Sequence, residues 1–168
     1  VNAQRRRHAP HGKLTGSSWN AEELARSLQL AAAYIAAPPR MARYIEVSRQ
    51  IYQLYLNYVS PQDIHVYSID EVFMDVSAYL NPLGISGREL AKRIVQDVLQ
   101  TTGITATVGI GTNLYLAKVA MDIVAKHVEA DQDGTRIAEL DEMSYRRLCW
   151  THRPLTDFWR IKSEAKRS

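Results

Sequence analysis

Tyr67-Ser68-Ile69-Asp70-Glu71-Val72-Phe73-Met74-Asp75 sets two adjacent carboxylates inside apolar, β-forming sequence. Side-by-side anions in a partly buried segment are costly unless a cation offsets them. Hard oxygen ligands of this kind suit Mg²⁺, which is usually held by one or two carboxylates plus substrate phosphates. Neighbours on a regular strand point to opposite faces, so Asp70 and Glu71 serve one site only if the backbone bends there. The plain alternative is a hairpin turn carrying two solvated acids.

A second group lies further along the chain. Gly109-Ile110-Gly111-Thr112-Asn113 precedes Leu116-Ala117-Lys118. A strand feeding a glycine-containing turn and then a helix can offer backbone N–H groups to an anion. The glycine spacing is not that of a Walker loop, and a G-x-G turn is often only a turn. Lys118 and Lys126 lie eight apart on the expected helix, about two turns, so they share a face and could reach a triphosphate. A solvated lysine face is the ordinary alternative. His65 reads as a packed or edge strand residue, and His127 and His152 as surface residues. Cys149 reads as a small buried hydrophobe.

The surrounding elements must position these groups. Residues 1–20 are polar and basic without apolar period, and are expected to pack poorly. Asn20 starts a short helix through Leu30. Pro38-Pro39 opens an amphipathic helix with Met41, Tyr44, Ile45, Ser48, Ile51, Tyr52 and Tyr55 on one stripe, running to about Val59. Ile64–Tyr67 and Val72–Val76 form a β-hairpin with the acidic pair at its bend. Asn81-Pro82 and Gly84 make a loop. Ser86 and Glu89 have capping-box spacing, and Leu90, Ile94, Val95, Val98 and Leu99 face inward on a helix closed by Gly103. Ile104–Ile110 is a strand, Asn113–His127 a third long helix, Thr135–Ile137 a short strand and Ser144–Trp150 a helix. Strands and helices around one small sheet give an α+β fold. A further strand ahead of the Arg40 helix would make the unit ferredoxin-like.

Composition narrows the class. Hydrophobic residues are 46% of the 168 and charged residues 23%, which suits a globular domain able to bury a core. One cysteine excludes a disulfide framework and a multi-cysteine zinc site, and favours a cytoplasmic setting. No apolar run approaches the roughly 18 residues of a membrane span, so no membrane partner is expected. The net charge of +3 conceals an acidic middle: residues 61–148 hold 8 Lys/Arg and 13 Asp/Glu, between basic flanks. Basic flanks can meet phosphates while clustered carboxylates hold cations.

VYSIDEVFMDV and GIGTNLYLAKVAMDIVAKH together resemble the palm motifs of Y-family, lesion-bypass DNA polymerases, in the UmuC-like (ImpB/MucB/SamB-type) branch. APPRMARYIEVSRQIYQLYLNYVSPQDIHVYSIDE and DGTRIAELDEMSYRRLCWTHRPLTDFW match the same pattern. The resemblance covers about residues 36–160, with 1–35 unassigned and 161–168 a basic tail. It implies a ferredoxin-like palm and template-directed deoxynucleotidyl transfer in damage tolerance and the SOS response. It further implies two Mg²⁺ ions, with Asp70 bridging both and Glu71 binding the one that activates the primer 3′-hydroxyl. Lys126 matches the residue that approaches the triphosphate, and Lys118 the lysine of the LAK segment. Primer-template DNA and a deoxynucleoside triphosphate are the implied partners, with a sliding clamp reached through parts outside this chain.

The family also carries a catalytic Asp in a first palm strand, and a fingers segment with a Tyr and an Arg. Neither is recognisable here, and residues 1–35 contain no aspartate. The expectation is an incomplete palm, as a truncated or frameshifted reading frame would give, that extends a primer no faster than background. A palm remnant with weak DNA or partner binding is the alternative. A two-metal nucleotide cyclase is a more distant one, since its hairpin signature differs.

Overall fold

The structure, a computed structural model, describes residues 14–27 and 29–161. The chain divides into two compact units, residues 1–40 and 41–168.

In the first unit, β1 (Gly16–Ser18) and β2 (Leu30–Ala32) pair in parallel, with α1 (Ala21–Arg26) between them in sequence. Asn20 caps α1, its side chain accepting from the amides of Glu22 and Glu23. The helix expected through Leu30 therefore stops early. Leu30-Ala31-Ala32 has helix-forming composition, but pairing with Gly16–Ser18 overrides it. Of the 1–20 stretch expected to pack poorly, residues 1–13 lie outside the described residues. Trp19 is 90% exposed.

The second unit begins with α2 (Met41–Tyr55), whose expected apolar stripe is only partly covered: Met41, Tyr44 and Ile45 at its start are exposed. A turn then leads to the fully buried Val59. The hairpin forms as expected. β3 (Ile64–Val66) and β4 (Val72–Met74) are antiparallel, with Ile64 opposite Met74, His65 opposite Phe73 and Val66 opposite Val72. Residues 81–83 are not loop, as their composition suggests. They end α3 (Ser77–Leu83), and Gly84 closes it in the left-handed conformation. Tyr79 on α3 donates to Asp63 and accepts from the Ser60 amide, tying this helix to the root of the hairpin.

α4 (Gly87–Thr102) matches its sequence signals. Ser86 accepts from the Glu89 amide, Gly103 adopts φ 72° after the last turn, and Leu90, Ile94, Val95 and Val98 are buried. This stripe packs on α2 and on the parallel pair β5 (Thr107–Gly111) and β6 (Arg136–Leu140). Next comes α5 (Leu114–Val119), which continues without a break into a π-helical stretch, Ala120–Val124, and a 3₁₀ turn, Ala125–His127. The last helix is α6 (Glu142–Cys149), capped by reciprocal bonds between Asp141 and Ser144. Leu116, Val119, Ala120, Ile123, Ala138, Leu140, Cys149 and Phe158 form the main core. Cys149 is buried, as its sequence context indicates.

The strands do not form the one small sheet expected. The hairpin and the β5–β6 pair are separate two-stranded sheets among the described residues. None of the described strands hydrogen-bonds to both pairs.

The turn before β6 has a titratable lock. Asp131 accepts from the amides of Asp133 and Thr135 and from the Thr135 hydroxyl, and Lys92 on α4 reaches both Asp131 and Asp133. Hydrogen bonds from Thr135 hold the Asp131 carboxyl down at about 2, against an ordinary 3.8. A depressed carboxyl stabilises the fold above its unfolded value and loses that contribution as pH falls through the folded one. The turn is therefore expected to stay locked at pH 4 and open as the pH approaches 2. The ¹³C shift of the Asp131 carboxyl measures this; a midpoint at the ordinary value would dismiss the lock.

Candidate active site

The hairpin bend spans Tyr67–Glu71, and its closure explains how the acidic pair is presented. The amides of Tyr67 and Ser68 both donate to the Glu71 carbonyl, at 3.0 and 3.1 Å, folding the chain back on itself. Ser68 then donates its hydroxyl to Asp70 Oδ1 at 2.7 Å. Asp70 is exposed, whereas the Glu71 side chain keeps only 26% of its exposure.

Lys118 on α5 meets Glu71 head-on. Its Nζ lies 2.8 Å from Glu71 Oε1 and 2.9 Å from Oε2, so one ammonium holds both oxygens. The same Nζ lies 3.1 Å from Asp122 Oδ2, and Asp122 Oδ1 in turn accepts from Lys126 Nζ at 2.8 Å. Glu71, Lys118, Asp122 and Lys126 thus form a continuous chain of alternating charge. The Lys118 side chain is 7% exposed and Lys126 50%. Burial pulls the Lys118 pKa down more than any other single influence, but hydrogen bonds and charge from Glu71 and Asp122 together outweigh it and leave it raised. Lys118 is therefore a fixed ammonium.

Aromatic rings hold this arrangement. Lys118 Nζ sits 5.7 Å from the centre of the Tyr67 ring. Tyr67 packs edge-on against Phe73 and Trp159, and the Trp159 indole donates to the Tyr67 hydroxyl at 3.0 Å. Phe158, the preceding residue, is buried in the main core. The 158–159 step therefore anchors the hairpin bend to the helical layer.

The π-helical stretch sets the lysine register. On an α-helix eight residues overshoot two turns by about 80°. The wider π turn takes up the surplus residue. Asp122 lies within it and reaches Lys118 on one side and Lys126 on the other. Sequence reasoning misses Asp122, because an acid at i+4 from a lysine reads as an ordinary helix-surface pair.

The two glycines have a role other than the expected anion-binding turn. Gly109 and Gly111 lie in β5, not after it. A Cβ on either would come closer than 3.0 Å to the backbone of residues 116–121. They let the strand lie directly against α5. The turn itself is Thr112-Asn113, and the Asn113 side chain already takes the Leu116 amide.

Asp70 and Glu71 are hard oxygen donors and fit one divalent cation in kind. Among the described residues no group of three or more His, Cys, Asp or Glu side chains is placed to hold a metal. Both Glu71 oxygens are engaged by Lys118 and would have to be freed. At the Lys126 end, an open cleft of about 330 Å³ is lined by Asp122, Ile123, Lys126, His127, His152 and Asp157. No helix among the described residues is long and apolar enough to cross a membrane.

A family model described as the impB/mucB/samB family matches residues 18–122, which include the hairpin bend and the helix through Asp122. The chain belongs to the impB/mucB/samB family. The match begins ahead of residue 36 and takes in α1 and β2, which the sequence motifs do not reach. Similar relatives include DNA polymerase IV of Desulfatibacillum aliphaticivorans, 37% identical over 99 residues, covering 56% of this chain and 24% of that protein. DNA polymerase IV 2 of Bacillus subtilis (strain 168) is 43% identical over 88 residues, covering 52% and 21%. Among solved structures, the insertion ternary complex of Dbh DNA polymerase aligns with a TM-score of 0.58 at 28% identity, over 77% of this chain and 34% of that one. The chain spans about a quarter of the length of the two curated relatives. The α+β, palm-like fold expected from the sequence is borne out by this family's structures.

Proposed function

We propose that this impB/mucB/samB chain is the palm portion of a translesion DNA polymerase, acting in template-directed deoxynucleotidyl transfer during DNA repair. The observation that carries the reading is the charge chain from Glu71 through Lys118 and Asp122 to Lys126, with Asp70 beside it at the hairpin bend. Asp70 and Glu71 would hold Mg²⁺, supplying two carboxylates to the two-ion site of an intact enzyme. A metal held there would offset charge on the phosphate oxygens and the attacking hydroxyl. Lys126, half exposed at the end of the chain of charges, offers its ammonium to the triphosphate. Lys118, held on Glu71 and Asp122, fixes the electrostatic setting. With only Asp70 and Glu71 offered as metal ligands, the chain by itself extends a primer at background rate, because alignment supplies much of the rate in phosphoryl transfer.

Titration with a deoxynucleoside triphosphate in the presence of Mg²⁺, monitored by calorimetry, tests this. Lys126→Ala is expected to weaken binding by about tenfold, the worth of one charge-assisted contact. Glu71→Gln should also weaken it. Binding unchanged in both variants would overturn the assignment.

A further inference from the structure

A metal ion and the Lys118 ammonium compete for the same two oxygens. Lys118 Nζ lies within 2.9 Å of both Glu71 carboxylate oxygens, yet it also touches both oxygens of Asp122 at 3.1 and 3.3 Å. It therefore has a second carboxylate to fall back on. Asp70, by contrast, is engaged through the Ser68 hydroxyl, which bonds both its carboxylate and its amide within the bend.

We propose that Lys118 is a built-in counter-cation for the acidic pair: it occupies Glu71 when no divalent ion is bound and withdraws onto Asp122 when one arrives. The inference rests on Asp70 and Glu71 being the metal ligands, as proposed above. The physical logic is charge balance. A half-buried Glu71 without a cation would be penalised by desolvation. An ammonium on a four-carbon stem can shift its three donors between carboxylates without leaving the site. Asp122 is the residue that makes withdrawal feasible, because the displaced ammonium keeps a charged partner. Lys126, already on Asp122 and half exposed, can yield to solvent. Lys118 in this role is a positioning residue: it acts through Glu71 and sets the metal's apparent affinity.

The test is Mn²⁺ titration of the whole chain, with free ion read by electron paramagnetic resonance. Lys118→Met keeps the stem and removes the competitor, and is expected to tighten Mn²⁺ binding by about tenfold, the low end of what one adjacent charge does to a carboxylate. Lys126→Met removes the same net charge without touching Glu71, and should tighten it less than about threefold. Adding Glu71→Gln to Lys118→Met should abolish the gain. In parallel, the ¹⁵N-ammonium signal of Lys118 in the unaltered chain should shift as Mg²⁺ is added, which decides the matter if Lys118→Met does not fold. Equal gains in the two methionine variants, or a Lys118 signal indifferent to bound Mg²⁺, would overturn the counter-cation role while leaving the ligands in place. Mn²⁺ binding that survives Glu71→Gln unchanged, or no binding in any variant, would remove the metal assignment itself and the inference with it.

Discussion

Gly109→Ala is expected to destabilise the chain by about 3 kcal/mol, the upper end of the usual cost of overpacking. The added methyl would meet the Ala117 carbonyl and the Met121 amide, both backbone atoms of the helical layer. Backbone cannot move aside by changing rotamer, so the whole helix must lift from β5. Lifting it opens the core around Leu116, Val119 and Ala120, which are almost fully buried. Denaturant unfolding monitored by circular dichroism measures the loss. The same substitution at Gly134, where nothing lies within 4 Å but φ is +77°, is the contrast: its cost comes from backbone strain alone and should be about 1 kcal/mol. A Gly109→Ala chain as stable as the parent would mean that β5 and α5 do not approach as described.

Lys118→Met is expected to cost about 2 kcal/mol of stability. Removing one partner from a fully buried ion pair typically costs about 3–5 kcal/mol, because the remaining charge is left uncompensated. Glu71 and Asp122 retain 26% and 21% of their side-chain exposure, so water relieves part of that penalty. Methionine keeps the length of the buried stem but gives up the ammonium's contact with the Tyr67 ring. Lys126→Met, half exposed and paired among the described residues with Asp122, should cost less than about 0.5 kcal/mol. Chemical denaturation of the two variants side by side measures the difference. Equal stabilities would show that Lys118 is not the keystone of the charge chain.

The parts of the site legible in the sequence are those set by local chemistry. Asp70 and Glu71 sit at a hairpin bend because β-branched and aromatic runs flank a short polar stretch. The α4 boundaries come from Ser86 and Gly103. The illegible parts depend on tertiary contact. Gly109 and Gly111 look like a turn because only the packed helix reveals why a side chain is excluded there. Leu30–Ala32 looks helical because its strand partner lies a dozen or more residues earlier and leaves no periodic trace. Asp122 is invisible as a site residue because its i+4 spacing from each lysine reads as an ordinary helix-surface pair, and only the fold shows that one of those lysines is buried on Glu71. The sequence gives Lys118 the less definite role of the two lysines, yet it is the one in contact with Glu71.

The π-helical stretch Ala120–Val124 gives the chain one residue of slack. A π turn is an α-helix that has absorbed an insertion without rotating the residues beyond it. Losing one codon within it would let the backbone relax to ordinary α-helix. Lys118 and Lys126 would then be seven positions apart, which an α-helix brings back to the same face within about 20°. Elsewhere in a packed helix, such as the middle of α4, a one-codon loss turns every later side chain by about 100° and scrambles the buried stripe. Length variation in this chain should therefore be absorbed at Ala120–Val124 and purged from Gly87–Thr102, although both are helical and both pack on the β5–β6 pair.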